Sequence, residues 1–306
     1  METSYLLFPY SKINLSLNIN GVKDGYHMLD SVVTTVSVAD IVKIKLRKDD
    51  KILITFTGKY KGVIVDQFKT NVYKTAVAFM EKYGKKGLNI EVVRNIKAGG
   101  GLGSSSADIV GTLLALKKLY GVTESVKDLA DGLGSDTGYL LNGGFARITK
   151  RGEEVEPFKC KNKYYFVVLY ANGGVNTKEC FELFDKECKT GILSNNDELI
   201  KGLIEGDFDK ISSNVKNALT IPAKKLNAEI EENINELNKL SPKVVGMTGS
   251  GSTVFIAYPN YEFASWAYEK LYKKYGDRVE LLYTVDPKDF YLFDFFSGYV
   301  TSENLK

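Results

Sequence analysis

Ala98-Gly99-Gly100-Gly101-Leu102-Gly103-Ser104-Ser105-Ser106-Ala107 is the stretch on which the reading of this chain turns. It follows an alternating apolar run at Leu88–Ile96 and leads into Asp108–Tyr120, where Ile109, Leu113, Leu116 and Leu119 recur along one helical face. The order is therefore strand, glycine-serine loop, helix. Consecutive small residues let a ligand come close to the backbone, and a helix beginning near Ser105 aims unpaired N–H groups and its positive dipole end at the loop. That chemistry suits a phosphate, with a glycine-rich tight turn as the purely structural alternative. The loop lacks the G-x-x-x-x-G-K-[ST] ending, and six residues counted from Gly99 or from Gly101 reach a serine where G-x-G-x-x-G needs glycine. It also follows a long β-rich stretch instead of forming a first βα turn. With His27 the only histidine and no H-R-D or D-F-G segment, the protein-kinase set is missing too.

Upstream of the loop, Ser11–Asn18 alternates Ile13, Leu15 and Leu17 with Lys12, Asn14, Ser16 and Asn18, which predicts a half-buried strand projecting Lys12 and Asn14 from one face. Asn20-Gly21 and Asp24-Gly25 carry turn chemistry, Ser31–Leu46 and Ile52–Thr57 are β-rich, and Asn71–Tyr83 has helical spacing. Downstream, a short helix over Ser125–Leu133 precedes Gly134-Ser135-Asp136-Thr137-Gly138, and strands are expected at Phe145–Thr149 and Tyr164–Tyr170. The polar stretch Glu153–Asn162, with Pro157, sets a domain boundary that divides the chain into residues 1–157 and 158–306.

The second half reads as helices over Thr177–Glu187, Glu198–Glu205, Ile211–Thr220 and Ala223–Leu240. In the last, Leu226, Ile230, Ile234 and Leu237 form the expected buried stripe and Pro222 stands at the start. A strand, the loop Thr248-Gly-Ser-Gly-Ser252 and a second strand occupy Lys243–Tyr258, and a helix covers Glu262–Tyr275. The aromatic Phe290–Tyr299 tail reads as a buried terminal strand. Strands first, then helices with antiparallel hairpins, define an α+β chain.

Composition narrows the function classes. Across 306 residues, 41 Lys+Arg against 38 Asp+Glu leave a net charge of +3, too small for a nucleic-acid footprint. A 44% hydrophobic content with 6 Pro is ordinary for a folded globular protein. No stretch approaches a membrane span, and the N-terminal Met1-Glu2-Thr3-Ser4 opens no basic-then-apolar leader. Cys160, Cys180 and Cys188 form neither a C-x-x-C pair nor an even set, so neither a disulfide framework nor a zinc site is indicated. A cytoplasmic protein of unspecified oligomeric state, with no nucleic-acid or membrane partner, is expected.

The glycine-serine loop resembles the second motif of the GHMP kinase superfamily, P-x-x-x-G-L-G-S-S-[SA]-A, and Thr248-Gly-Ser-Gly-Ser-Thr-Val-Phe255 resembles its third. The resemblance spans nearly the whole chain and implies a two-domain fold, a β-rich N-terminal and an α/β C-terminal domain, with the active site in the cleft between them. Ser11-Lys-Ile-Asn-Leu15, Asp24-Gly-Tyr-His-Met-Leu29 and Leu133-Gly-Ser-Asp136 narrow the likeness to the 4-diphosphocytidyl-2-C-methyl-D-erythritol kinases of the non-mevalonate isoprenoid pathway.

That resemblance implies the following roles. Asp136 accepts the proton of the attacking hydroxyl, and Lys12 beside it holds the aspartate ionised and stabilises charge on the transferring group. Lys97, Ala98, Gly99, Gly100, Gly101, Leu102, Gly103, Ser104, Ser105, Ser106 and Ala107 cradle ATP. Tyr26 and His27 hold the cytosine ring of a cytidine diphosphate alcohol, Phe181 covers its other face, and Asn14 contacts the acceptor or the moving phosphate. Mg²⁺ bridges phosphate oxygens, with Ser105 and Ser106 as candidate ligands. Other GHMP kinases acting on homoserine or mevalonate-type alcohols, and a non-catalytic nucleotide-binding relative, are the competing readings. The chain departs from the pattern at Lys97 (usually proline) and at Thr137-Gly138 (usually V-P), so both loops are expected to be less rigid than is typical, and Asn217-Ala-Leu-Thr220 (often N-D-L-E) lacks two acidic residues.

Overall fold

The structure, a computed structural model, describes residues 4–62, 66–84, 86–187, 193–286 and 292–294. In chain order its elements are β1 (Ser4–Leu7), β2 (Tyr10–Asn14), β3 (Asn18–Lys23), β4 (Tyr26–Ala39), β5 (Ile41–Leu46), β6 (Ile52–Thr57), α1 (Asn71–Tyr83), β7 (Leu88–Val93), α2 (Ser104–Tyr120), α3 (Lys127–Leu133), α4 (Thr137–Leu140), β8 (Phe145–Lys150), β9 (Glu154–Pro157) and β10 (Tyr165–Leu169). There follow α5 (Thr177–Glu187), α6 (Asn196–Glu205), α7 (Phe208–Asn214), α8 (Thr220–Leu226), α9 (Glu229–Asn238), β11 (Val244–Met247), β12 (Val254–Tyr258), α10 (Tyr261–Tyr275), β13 (Val279–Tyr283) and β14 (Leu292–Asp294).

The strands form three sheets, ordered β14-β1-β5-β7-β6, β2-β4-β8-β9 with β3 also on β4, and β11-β12-β10-β13. Among the described strand pairs β6–β7 is parallel and the others are antiparallel. The first sheet packs Val42, Ile44, Leu88 and Ile90 against α1 and α2 through Val72, Phe79, Ile109, Leu113 and Leu116. The middle sheet shares a core with the third, where Ile13, Val32 and Val36 meet Phe166, Val168, Tyr170 and Phe255. Each such side chain taken fully from water contributes roughly 1.5–3 kcal/mol before the cost of ordering it.

Several sequence expectations shift. The Ser11–Asn18 strand stops at Asn14, because Leu15 N and Ser16 N both bond the Val32 carbonyl and Leu17 pairs with Asn217. Its polar residues are not a solvated face: Lys12, Asn14, Ser16 and Asn18 are all buried, as are Ile13, Leu15 and Leu17. Of the two turn signals only Asp24-Gly25 closes a hairpin, both residues in the left-handed region, while Asn20-Gly21 lies in a register shift within β3. The Ser31–Leu46 run breaks at Asp40, whose carboxylate accepts from Asn95 N at 2.6 Å and Ile96 N at 2.8 Å.

Helix α2 begins at Ser104, and the Ile211–Thr220 helix is instead α7, ending at Asn214. The expected Ala223–Leu240 helix is two, α8 and α9, because Asn227 is extended (ψ 99°) and turns its Oδ1 to Glu229 N. Pro222 is accordingly the third residue of α8, and Leu226 is exposed. Strands β1, β9 and β13 were not anticipated. Of the Phe290–Tyr299 tail, Leu292–Asp294 forms β14 against β1; its other residues, and Cys188, lie outside the described residues.

Candidate active site

The glycine loop owes its shape to alternating backbone hand. Gly99, Gly101 and Gly103 have φ of +68°, +76° and +80°, whereas Gly100 and Leu102 between them do not enter the left-handed region. Such alternation turns successive N–H groups toward one concavity, an anion-binding nest. At Gly101 glycine is obligatory, because a Cβ would lie 2.1 Å from the Thr248 carbonyl oxygen. Gly103 is the N-cap of α2 and offers no side chain to its first turn, unlike Thr70 on α1 or Asn260 on α10. The helix's N-terminal amides are thus left for a ligand.

Thr248 joins the distant motifs. Its hydroxyl donates to the Gly101 carbonyl at 3.1 Å and accepts from Asn14 N at 3.0 Å. Strand β2 also docks on the loop through Lys12 N and Ser11 Oγ, which donate to the Leu102 carbonyl at 3.2 and 2.8 Å. Asn217 Nδ2 donates to the carbonyls of Met247 and Gly249, both at 2.8 Å, and holds the third motif's loop from behind.

This framework brings Lys12 and Asp136 together, with Lys12 Nζ 3.4 Å from Asp136 Oδ2. Lys12 is 3% exposed, while the aspartate side chain keeps 32% of its surface open. Asp136 sits at the N-cap of α4 yet makes no capping bond, so its carboxylate is not consumed by the backbone. Asn14 Oδ1 accepts from Lys12 Nζ, and Asn14 Nδ2 donates to Ser31 Oγ at 2.9 Å, which ties the amine's direction to β4. The Thr137-Gly138 departure does not leave the segment loose: Thr137 is buried, its hydroxyl bonds the Ala130 and Gly134 carbonyls, and a Cβ on Gly138 would meet Asp131 Oδ1 at 2.5 Å.

Lys12, Asn14, residues 97–106, Asp136 and Phe181 line one cleft of about 540 Å³. Ala107, fully buried in α2, is not on its wall. Tyr26 and His27 are not on it either. Tyr26 is 55% exposed with the Arg151 guanidinium 4.7 Å from its ring centre, and the His27 ring lies 4.5 Å from that of Phe181 while its Nε2 is 2.8 Å from Asp185 Oδ1. Arg151 and Phe181 are cleft residues, so both hairpin-tip side chains stand one layer behind the surface they were assigned to.

The cleft also takes in Ser31, Asn71, Arg94, Asp108 and Thr177, which sequence reasoning did not place there. Asp108, read from sequence only as the start of a helical run, pairs with Arg94 at 2.5 Å; burial pushes its carboxyl up, against the pull of the guanidinium. Asn71 donates to Ser105 Oγ from the start of α1. Asn217, which keeps the asparagine of its segment's usual pattern, supports the third motif's loop, a role the sequence reading did not assign it.

Residues 70–145 match the GHMP kinases N terminal domain, and residues 199–277 the GHMP kinases C terminal domain. Both matches put the chain in the class of GHMP kinases. The 4-diphosphocytidyl-2-C-methyl-D-erythritol kinase of Clostridium perfringens strain 13 is 31% identical over 271 residues, 87% of this chain and 93% of that one. Its counterpart from Clostridium botulinum strain Eklund 17B is 32% identical over 277 residues, covering 88% and 96%. A crystal structure of 4-(cytidine 5'-diphospho)-2C-methyl-D-erythritol kinase superposes with a TM-score of 0.76 at 26% identity, over 92% of this chain and 99% of that one. The chain belongs to the 4-diphosphocytidyl-2-C-methyl-D-erythritol kinase family of GHMP kinases, ATP-dependent phosphotransferases that act on a hydroxyl group. The homoserine kinase of Cytophaga hutchinsonii shares the fold, with a TM-score of 0.69 at 19% identity.

Proposed function

We propose that the chain transfers the γ-phosphoryl group of ATP to the 2-hydroxyl of 4-diphosphocytidyl-2-C-methyl-D-erythritol. The observation that carries this reading is the Lys12–Asp136 pair at 3.4 Å, on the same cleft as the glycine nest. Phosphoryl transfer runs through a loose transition state, so positioning and cationic stabilisation outweigh covalent help. The acceptor oxygen bonds to the γ-phosphorus as the bond from that phosphorus to the ADP oxygen breaks, and the hydroxyl proton passes to Asp136. Lys12 stabilises charge on the transferring group, and residues 98–106 hold the phosphates by main-chain N–H groups. Asn14 orients Lys12 and faces the acceptor.

Residues on either side of a division at 157/158 contribute walls to the cleft, residues 175, 177, 181, 219 and 249–251 from the second unit. Phe181 offers its ring to the cytosine. His27 and Tyr26 reach the base from behind Phe181 and Arg151, which requires the hairpin tip to turn inward when the substrate binds. Mg²⁺ favours hard oxygen ligands, and Ser105, Ser106 and Asp136, oxygen donors on the cleft wall, would hold it. When bound, Mg²⁺ supplies charge neutralisation at the phosphates. We place the reaction in the cytosol, a reading supported by an odd cysteine set with no C-x-x-C pair; no helix among the described residues is long and apolar enough to cross a membrane.

The test is a coupled ADP-release assay with 4-diphosphocytidyl-2-C-methyl-D-erythritol, homoserine and mevalonate as separate acceptors. The highest kcat/KM is expected for the first. A higher value for another alcohol, or tight ATP binding with no ADP formed, overturns the reading.

A further inference from the structure

The glycine loop is held on two flanks. One is the third motif, where Thr248 Oγ1 grips Gly101. The other is the segment 170–174 that leaves β10: a Cβ on Gly174 would come within 3.1 Å of the Gly99 carbonyl oxygen, so the two backbones touch. That segment is itself fixed from behind. Ser252 Oγ and Asn227 Nδ2 donate to the Gly173 carbonyl at 2.6 and 3.1 Å, and Asn172 N and Nδ2 donate to Glu229 at 2.7 and 3.0 Å.

The side chain of Lys97 crosses between loop entry and segment. Its Nζ donates to the Ala171 carbonyl at 2.5 Å and stands 5.5 Å from the centre of the Tyr170 ring. Tyr170 is a rigid partner, fully buried, its hydroxyl bonded to Glu280 and its carbonyl accepting from Arg278 Nε at 2.8 Å. Burial first, then the positive charge of Arg278, lower the Lys97 amine from its ordinary value; Glu229 opposes them and Lys59 adds to them. An amine is kept in such surroundings only by what it touches, and here those contacts are on the neighbouring segment.

We propose that Lys97 is a positioning residue that sets the entry angle of the nucleotide loop by clamping it to segment 170–174, without contacting the nucleotide. The inference rests on the loop being the ATP site of the kinase described above. It turns the departure from proline at this position into a different means of stiffening the loop.

The test uses the full chain and three variants: Lys97→Met, which keeps the stem and removes the donors, Lys97→Arg, which retains a cationic donor, and Lys97→Leu, a second variant without donors for use should the first not fold. Amide hydrogen exchange is read at residues 98–104 without nucleotide, and KM and kcat are measured for ATP. A charged hydrogen bond of ordinary strength corresponds to about a tenfold change. Lys97→Met is therefore expected to speed loop exchange about tenfold in the nucleotide-free chain and to raise the KM for ATP by a similar factor. The KM for the acceptor and kcat should stay within about twofold, and Lys97→Arg should recover most of both losses. Unchanged exchange in the nucleotide-free Met or Leu variant overturns the proposal, whatever its KM, because a residue acting by direct contact with ATP leaves the empty loop alone. An unchanged KM overturns it as well. Should the wild-type chain release no ADP with any alcohol, the kinase reading fails while the exchange result still decides the clamp.

Discussion

Two pairs of opposite charge line the same cleft, and they are built for different work. Lys12 and Asp136 stand 3.4 Å apart with the carboxylate a third open to solvent, whereas Arg94 and Asp108 meet at 2.5 Å with the carboxylate side chain 3% exposed. Arg94 is further pinned with its guanidinium 4.2 Å from the centre of the Phe56 ring. Its Nε and Asp108 Oδ1 are buried with no hydrogen-bond partner among the described residues. A pair that must take a proton from a substrate needs an accessible oxygen and a geometry with slack. A sealed pair has neither and can only hold the loop's root in place.

The largest expected effect separates the two at once. Asp136→Asn is expected to lower kcat by about a thousandfold, within the range for loss of a positioned base, while the KM for ATP changes no more than a few-fold. Steady-state kinetics alongside thermal melting check this, the melt separating lost chemistry from lost stability, since the carboxylate caps no helix end but pairs with the buried Lys12. Wild-type turnover in this variant would make Asp136 a loop residue like any other and erase the contrast.

For the sealed pair the order of effects reverses. Asp108→Ala leaves a largely buried guanidinium unpaired, at a cost of about 3 kcal/mol in folding free energy, while kcat per folded molecule should stay within a few-fold. Replacing both partners, Arg94→Met with Asp108→Leu, should recover most of that stability, since a buried ion pair is roughly matched by an apolar one. Urea unfolding with activity normalised to folded protein reads both quantities. A variant at Asp108 that folds normally but loses turnover would move this pair into the chemistry.

The sequence was legible where a motif makes the contacts local. The loop's alternating backbone shape follows from glycines at alternate positions, and Lys12, Asp136 and Phe181 reach the cleft from segments whose own pattern marks them. What could not be read is what depends on partners far along the chain. Arg94 sits at the end of one element and Asp108 inside the next, and nothing in a charge pattern says they pair. The polar face of Ser11–Asn18 looked solvated because alternation reports only that two faces differ; both are buried, one in the core and one beneath the cleft. The helix expected over Ala223–Leu240 failed because apolar spacing carried on across Asn227, whose side chain instead caps the next helix. Tyr26 and His27 stand at the tip of the β3–β4 hairpin behind the cleft wall, a distance of one side-chain layer that no spacing encodes.

The smallest expected effect is a pH dependence that belongs to the root of the sealed pair. Asp40 is fully buried, accepts from Asn95 N and Ile96 N just ahead of the glycine loop, and has its carboxyl pushed up to about 6. Burial is the main cause, opposed by those two backbone N–H groups, with the nearby Asp108 adding to the rise and Arg94 opposing it. The native state therefore holds a proton over a range where the unfolded chain, near 3.8, has released it. Stability from this group is fully present below the unfolded value and is lost as pH rises through about 6. The change amounts to at most about 3 kcal/mol between pH 4 and pH 7. Asp40→Asn cannot titrate, so wild type minus variant should shift in favour of wild type by up to that amount on acidification, a difference that cancels the other carboxylates, such as Asp49 and Glu236, whose pairing works in the opposite sense. Urea midpoints for both proteins from pH 4 to pH 7 measure it. Parallel curves would mean that the Asp40 carboxyl titrates alike in the folded and unfolded chain, the Asn95 and Ile96 N–H groups then offsetting its burial.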